Sequence, residues 1–186
     1  MEVTSQQLLA IMPTARERVG LFVEPLNAAM ARFEINTPNR AALFLAQVAH
    51  ESAQLRWLRE IWGPTREQLA YEGRSDLGNT QPGDGPLFRG RGLIQITGRA
   101  NYKACSFALY GDDRLLAHPE TLEQLDGACQ SAGWFWETLK RLNAVADAGD
   151  TGALLTTTRR INGGTNGLSS RQSYWLAAKS ALGVTP

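Results

Sequence analysis

Hydrophobic residues recur at helical spacing along most of the chain. The pattern predicts helices over 5–11, 14–33, 101–110, 120–146, 151–161 and 169–182, together with one that begins at Pro38. Thr4 and Thr37 each precede such a segment and are expected N-caps, and Pro38 suits the first helical position. Pro25 lies within 14–33 and predicts a kink or a break there.

The middle of the chain has a different composition. Residues 71–102 are rich in Gly, Pro, Asn and Asp, which predicts loops. Within them, residues 93–97 (LIQIT) alternate apolar and polar side chains and predict a short strand. Neither an internal repeat nor a linker divides the sequence. We therefore expect one domain over 1–186, of the α+β class, mostly helical, with a small extended or loop insert.

One polar residue interrupts the most regular hydrophobic stripe. Phe44, Val48, Leu55 and Leu58 are spaced 4, 7 and 3 residues apart, and Glu51 lies in the middle of the widest gap. A continuous helix would turn Glu51 toward the interior with Phe44 and Val48. A buried carboxylate needs a partner, a proton or a wet cleft. Glu51 is thus either a structural residue paired with an arginine or a functional one.

Composition narrows the classes of function. The 186 residues are 43% hydrophobic and 20% charged with a formal net charge of +1, which is ordinary globular usage without the basic footprint of nucleic-acid binding. The 15 aromatic side chains (five Trp, six Phe, four Tyr) suit a carbohydrate cleft or a core equally well. Cys105 and Cys129 are too few for a disulfide framework, and we expect both to be reduced and buried.

The first 20 residues lack the pattern of an export signal. They have no basic n-region, and the apolar run LLAIM is short and ends at Pro13. No apolar segment approaches the ~18 residues of a membrane span. We expect a protein without membrane insertion that stays in the cytoplasm until it is released to the cell wall or periplasm during lysis.

Several kinds of site are disfavoured. His50 and His118 have no ligand spacing with cysteine or with each other, so neither a metal nor another cofactor is predicted. The Gly-x-Gly at 90–92 precedes its strand, which is the wrong order for a phosphate-binding loop. Carboxylate chemistry is left, with Glu60 as the nearest partner for Glu51. On an unbroken helix the two would lie ~13.5 Å apart on opposite faces, so the pair requires the helix to end soon after Glu51.

Four short motifs carry a family resemblance. They are AHES at 49–52, FRGRGLIQITGRANY at 88–102, WFW at 134–136 and INGG at 161–164. In this order, spread over roughly residues 40 to 178, they resemble glycoside hydrolase family 19, which comprises chitinases and phage endolysins of lysozyme-like fold. The stretches before AHES and around 72–85 are more similar to the compact endolysin branch than to plant chitinases.

The resemblance implies roles for three residues in catalysis. Glu51 corresponds to the general acid, Glu60 to the general base, and Thr97 to the hydroxyl that helps hold the attacking water. Many relatives follow HES with two glycines, whereas this chain has Ala53 and Gln54. This departure bears directly on the turn that must place Glu60.

The resemblance also implies substrate contacts. Gln95 and Asn101 match polar residues of the sugar cleft, Asn162 matches an asparagine that contacts substrate, and Arg171 matches a late arginine that pairs with the catalytic carboxylates. Each has an ordinary alternative: Gln95 and Thr97 could form an exposed strand face, Asn162 a helix-ending turn, and Arg171 a surface cation. WFW is expected in the core.

These observations lead to a prediction of function. We expect a monomeric, cofactor-free endolysin-type hydrolase that cleaves β-1,4 bonds between amino sugars of peptidoglycan by inversion. The alternatives are a chitinase, a lytic transglycosylase, which needs one glutamate and no water, and a catalytically inactive module that binds the wall. No nucleic-acid partner is expected.

Overall fold

The fold is an assembly of helices, described here over residues 1–184 of a computed structural model. Those residues contain eleven α-helices: α1 Ser5–Ile11, α2 Arg18–Arg32, α3 Pro38–Glu51, α4 Arg66–Leu69, α5 Asp84–Leu87, α6 Arg99–Tyr110, α7 Arg114–Ala117, α8 Leu125–Gly133, α9 Asn143–Ala146, α10 Thr151–Asn162 and α11 Leu168–Ala181. Two 3₁₀ helices, Ser75–Leu77 and Pro119–Glu123, and a π-helix, Trp134–Leu139, complete the described secondary structure.

Helix α3 runs through the centre of the molecule. Its residues from Ala41 to Ala49 are all buried, so the helix is enclosed on every side, and it packs most extensively against α11. Helices α9 and α1 contact it as well. A second, smaller core lies beneath the insert and includes Phe88, Ile96, Tyr102 and Trp134.

The predicted helix starts are confirmed at both threonines. Thr4 forms a capping box with Gln7, and the Thr37 hydroxyl accepts a hydrogen bond from the backbone N–H of Arg40, with Pro38 in the first turn. The prediction for 14–33 was too long, because residues 13–17 form turns before α2 begins. Pro25 lies inside α2 without dividing it.

The helix predicted over 120–146 is instead four successive elements. The 3₁₀ helix Pro119–Glu123 and α8 lead into the π-helix, and α9 follows. The π-helix contains WFW, and both Trp134 and Trp136 are buried. The indole Nε1 of Trp136 donates to Asn143 Oδ1 at 2.8 Å. The core assignment of these two tryptophans is confirmed. Phe135, between them, is only partly buried.

The strand predicted for 93–97 is wrong. Arg91 and Ile96 exchange two backbone hydrogen bonds, of 3.1 and 2.7 Å, and close a turn over the residues between them. Gly92 has φ +86°, and a Cβ there would lie 2.7 Å from Ser131 Oγ, so only glycine fits this reversal. Leu93 and Ile94 are both buried. The apolar alternation therefore comes from a folded turn and not from one face of a strand.

Both cysteines are unpaired and buried, as predicted. Burial raises the pKa of both thiols, that of Cys105 to about 12. Within the part of the chain that the structure describes, no helix is long and apolar enough to cross a bilayer.

Candidate active site

Helix α3 ends at Glu51 without a glycine or a proline. Ser52 is the C-cap, and the next three residues, Ala53, Gln54 and Leu55, have φ values of +48°, +59° and +64°. Left-handed backbone costs roughly 1 kcal/mol or more for each non-glycine residue. The helix thus ends where a Glu51–Glu60 pair requires it to end, and residues 52–62 are not helical. Glu51 is therefore the last residue of its helix and lies at the edge of the core.

Side-chain hydrogen bonds hold this left-handed turn. Buried Ser52 donates through Oγ to the Val48 carbonyl at 2.7 Å and accepts from the Leu55 N–H at 2.8 Å. Gln54 accepts from the Thr14 N–H at 2.8 Å and donates to the Tyr174 hydroxyl at 3.0 Å. The turn is thus fastened both to the N-terminal segment and to α11.

Glu51 is paired with a buried arginine. Nη2 of Arg171, from α11, lies 2.5 Å from Glu51 Oε1, while its Nη1 donates to Gln47 Oε1, also at 2.5 Å. Only 2% of the Arg171 side chain is exposed, against 20% of Glu51. Arg171 is therefore no surface cation, and it forms the expected ion pair with the carboxylate of Glu51.

His50 precedes Glu51 at the end of α3 and is close enough to feel the charges of this pair. Its Nδ1 lies 3.1 Å from Ser170 Oγ, and its ring covers Gly167, where a Cβ would come within 2.3 Å. Burial and the charge of Arg171 lower the pKa of His50, so the ring is neutral near pH 7. It contributes packing and a hydrogen bond beside Glu51, without a positive charge.

Glu60 lies on a loop that pairs with the glycine-rich insert. The Glu60 N–H donates to the Gly90 carbonyl at 2.8 Å, the Gly92 N–H donates to the Leu58 carbonyl at 2.9 Å, and Arg59 and Arg91 form an antiparallel bridge between them. The Glu60 carboxylate also accepts from the Gly90 N–H at 3.1 Å. Two backbone–backbone hydrogen bonds and one from a backbone N–H to the carboxylate fix the place of Glu60 relative to the insert.

Gln68, a residue that sequence reasoning missed, completes the support of Glu60. Its amide donates to Glu60 Oε1 at 3.0 Å and to the Ile61 carbonyl at 2.7 Å, while Oε1 accepts from the backbone of Gly63 and Thr65. It forms a capping box with Thr65 at the start of α4. The Thr-x-x-Gln spacing was the signal that could have revealed it.

Tyr71 stands beside the same carboxylate, and it too was not predicted. Its hydroxyl lies 3.4 Å from Glu60 Oε1. Burial and the charge of Glu60 raise the Tyr71 pKa, so the phenol keeps its proton and can donate it in a hydrogen bond.

Gln95, Thr97 and Asn101 belong to the turn and to the start of α6. The Gln95 amide donates to the Gly92 carbonyl at 2.9 Å, the Thr97 hydroxyl to the Gln95 carbonyl at 3.1 Å, and the Asn101 amide to the Thr97 carbonyl at 2.8 Å. All three side chains are partly exposed. Since the Thr97 hydroxyl uses its proton in the turn, it can only accept a hydrogen bond from a further group such as a water.

Asn162 shows a local structural role. It is the last residue of α10 and is exposed; its side chain donates to the Asn166 carbonyl and accepts from the Gly164 N–H, both at 2.8 Å. These bonds shape the turn between α10 and α11. They make no contact with Glu51, Glu60 or Thr97.

An open groove of about 780 Å³ adjoins Glu60. It contains both aromatic and charged side chains, and its lining does not extend to Glu51. The residues that line it are Arg56, Trp57, Leu58, Arg59, Glu60, Ile61, Trp62, Arg89 and Glu123. Among residues 1–184, no group of three or more His, Cys, Asp or Glu side chains is arranged to hold a metal ion.

Comparison with known proteins identifies the family of the chain. A glycosyl hydrolase family 19 domain-containing protein of Haemophilus influenzae is 34% identical over 166 residues, which cover 73% of this chain and 76% of the relative. The chain belongs to glycoside hydrolase family 19. Endochitinase CHI of Arabidopsis thaliana is 32% identical over 148 residues, covering 78% of this chain and 52% of the plant protein. No protein-family model matches the chain.

Solved structures agree at the level of the fold. Chitinase C from Streptomyces griseus superposes with a TM-score of 0.73 at 23% identity, covering 99% of this chain and 95% of that one. A bacterial family 19 chitinase gives 0.73 at 25% identity, covering 99% and 96%. The predicted lysozyme-like, mostly helical fold is therefore confirmed. The chain spans about half the length of the plant endochitinases.

The family 19 assignment makes it relevant that the two glutamates are held by different parts of the chain. Glycoside hydrolases act through a pair of carboxyl groups on either side of the scissile bond. In this chain one glutamate ends the central helix and is held by Arg171. The other is held on a separate loop by Gln68, Tyr71 and Gly90.

Proposed function

We propose that this family 19 enzyme is an endolysin-type peptidoglycan hydrolase that cleaves β-1,4 bonds between amino sugars with inversion. One observation carries the proposal: α3 stops at Glu51, so its carboxylate leaves the core while the loop with Glu60 turns back onto the insert. The break removes the ~13.5 Å separation that a continuous helix would impose. It thereby permits the ~6.5–9.5 Å that inversion requires.

The proposed reaction assigns one step to each residue. Glu51 donates its proton to the glycosidic oxygen as the bond to the anomeric carbon breaks. Glu60 takes a proton from a water that attacks the opposite face of that carbon, and the Thr97 hydroxyl accepts the second hydrogen of this water. Gln95 and Asn101, partly exposed on the same turn, are proposed to contact the sugars, with Asn162 further away on the α10–α11 turn.

The choice of peptidoglycan is supported by the endolysin-like stretches of sequence. The bacterial relative is also matched over most of its length, whereas the plant endochitinases are matched over about half. A cell-wall hydrolase of this type would act as a monomer, without a cofactor. It would remain in the cytoplasm until lysis gives it access to the wall.

Digestion of purified peptidoglycan tests the proposal. We expect new reducing ends, product masses one water heavier than anhydro-sugars, and an initial product of inverted anomeric configuration by proton NMR. Anhydro ends would instead identify a lytic transglycosylase. Wall binding without any cleavage would identify an inactive binding module, and retention of configuration would contradict the roles given to Glu51 and Glu60.

Chitinase activity is the second candidate, because the plant relatives are named endochitinases and the solved structures are chitinases. Chitin hexasaccharide and peptide-free peptidoglycan strands, offered at equal concentration, separate the two. Faster turnover of the chitin oligosaccharide would favour this candidate over the first.

A further inference from the structure

The groove beside Glu60 has an excess of arginine. Arg56, Arg59 and Arg89 line it, against the carboxylates of Glu60 and Glu123. Glu123 is already engaged: its Oε1 lies 2.7 Å from Arg91 Nε, behind the groove, and its Oε2 lies 3.4 Å from Arg59 Nη1. The positive charge of the groove is thus only partly neutralised by its own residues.

Arg89 has a buried donor that is unsatisfied among the described residues. Its Nη1 donates to the Pro86 carbonyl at 3.3 Å, while its buried Nε has no hydrogen-bond partner within residues 1–184. Within that same part of the chain, neither Arg89 nor Arg56 forms an ion pair with a carboxylate. A guanidinium with free donors at the wall of a groove suits a planar anion.

The electrostatic surroundings of Arg89 point the same way. Burial, followed by the charges of Arg91 and Arg59, lowers the Arg89 pKa, so its neighbours disfavour its positive charge. An anion bound between Arg89 and Arg59 would offset that repulsion.

Aromatic side chains in the same groove favour a sugar as the carrier of the anion. Trp57 is 41% exposed, and Trp62 lies farther along the lining. Exposed tryptophan faces pack against pyranose rings. The guanidinium of Arg56 lies 4.8 Å from the centre of the Trp57 ring and forms a cation–π contact with it. Because Glu60 stands in the same groove, a singly charged carboxylate suits it better than a phosphate dianion.

We infer that this groove is a subsite for a carboxylate-bearing sugar, with Arg89 and Arg59 contacting the carboxylate and Trp57 the ring. The inference rests on the proposed function, since peptidoglycan is acidic whereas chitin is neutral. It adds a reason for the enzyme to prefer the acidic glycan. In peptidoglycan the carboxylate has two sources, the lactyl ether of the muramic sugar and the stem peptide.

The test compares neutral chitin oligosaccharides with carboxymethylated chitin oligosaccharides of the same length. Binding is measured by calorimetry on the Glu51→Gln protein, so that turnover is suppressed. We expect about 3- to 10-fold tighter binding of the carboxymethylated ligand, as one charge-assisted contact provides. This preference should shrink as salt rises from ~50 mM to ~500 mM.

Replacement of single basic residues shows which of them cause the preference for the carboxymethylated ligand. Arg89→Gln and, independently, the exposed Arg59→Gln should each reduce the preference toward unity. Lys103→Gln, which removes the same charge from an exposed position on α6 outside the groove, should retain it. Equal affinity for the two ligands, failure to bind either, or loss of preference in Lys103→Gln as large as in Arg89→Gln would overturn the inference.

Two further experiments distinguish the lactyl carboxylate from the stem-peptide carboxylate, and failure of the subsite from failure of the proposed function. Peptide-free glycan strands should retain the Arg89 dependence if the lactyl group is bound and lose it if the stem peptide is bound. A wild-type enzyme that prefers the carboxymethylated ligand but does not cleave peptidoglycan would contradict the proposed function alone. Cleavage of peptidoglycan without that preference would contradict the subsite alone.

Discussion

Glu51→Gln distinguishes a catalytic glutamate from a structural one. Glu51 forms an ion pair with buried Arg171, which is also what a purely structural glutamate would do. Glutamine keeps the shape and an oxygen that can accept from Arg171 Nη2, yet it has no acidic proton to donate. The substitution therefore removes the proposed chemistry and retains most of the packing.

The two roles predict different magnitudes. Replacing the charge-assisted hydrogen bond by a neutral one should cost about 1 kcal/mol of the free energy of unfolding, because Glu51 is partly exposed and the acceptor is kept. For a chain of this size that lowers the Tm by ~2–4 °C. Loss of general acid catalysis should lower kcat by ~10²–10⁴-fold.

Arg171→Met provides the matched comparison. It leaves Glu51 without its cation and Gln47 Oε1 without its donor, and we expect it to cost about 3 kcal/mol. Turbidity loss of wall suspensions at 25 °C, alongside thermal melts of both variants, measures both quantities. A Glu51→Gln protein with more than about a tenth of wild-type activity would refute the role of Glu51 as the acid.

Three further substitutions test the support around the site. Gln68→Glu places a second carboxylate about 3 Å from that of Glu60. Because like charges disfavour ionisation, the acidic limb of the pH profile of kcat/KM should move to higher pH by at least ~1 unit. An unmoved limb would contradict the role of Glu60 as the base. Thr97→Val should lower kcat clearly and should cost about 1 kcal/mol of the free energy of unfolding, because the hydrogen bond of its hydroxyl in the turn is lost. A loss of more than ~2 kcal/mol, measured by thermal melts, would mean that the hydroxyl is mainly structural. Ala53→Gly should raise the free energy of unfolding by up to ~1 kcal/mol in urea titrations, since φ is +48° at this exposed position. Ala28→Gly, at an exposed position in the middle of α2, should lower it by a similar amount. Destabilisation by both substitutions would refute the strain at Ala53.

Features that depend on neighbouring residues could be predicted from the sequence. The caps at Thr4 and Thr37 lie where local hydrogen-bonding rules put them. The Thr65–Gln68 capping box follows the same rule and could have been predicted too.

The end of α3 could not be predicted from local pattern. The residues Ala53 to Leu55 are acceptable in a helix, and their left-handed backbone is stabilised by partners 40 and 120 positions from Gln54 along the chain. The indication that the helix had to end there came from pairing Glu51 with Glu60, which an unbroken helix would hold ~13.5 Å apart. The strand predicted for 93–97 failed for a related reason, because burial of both Leu93 and Ile94 in a folded turn depends on the cores around it.

The contacts also show that the two glutamates are supported by separate parts of the fold. Arg171 and Tyr174, three residues apart on one face of α11, hold Glu51 and Gln54, which are likewise three residues apart. The helix α11 therefore fixes both the proposed acid and the turn that follows it.

Glu60 depends on none of these contacts. It is held by Gly90 of the insert and by Gln68 and Tyr71, at and just beyond the end of α4. Effects of changes in the two sets of supports should consequently be close to additive, since no side chain is shared between them. Such separation places the proposed acid at the edge of the helical core, while the proposed base stays with the loop that borders the groove. If both proposals hold, substitutions in the insert and the arginine groove should change sugar specificity without disturbing the contacts of Glu51 with Arg171.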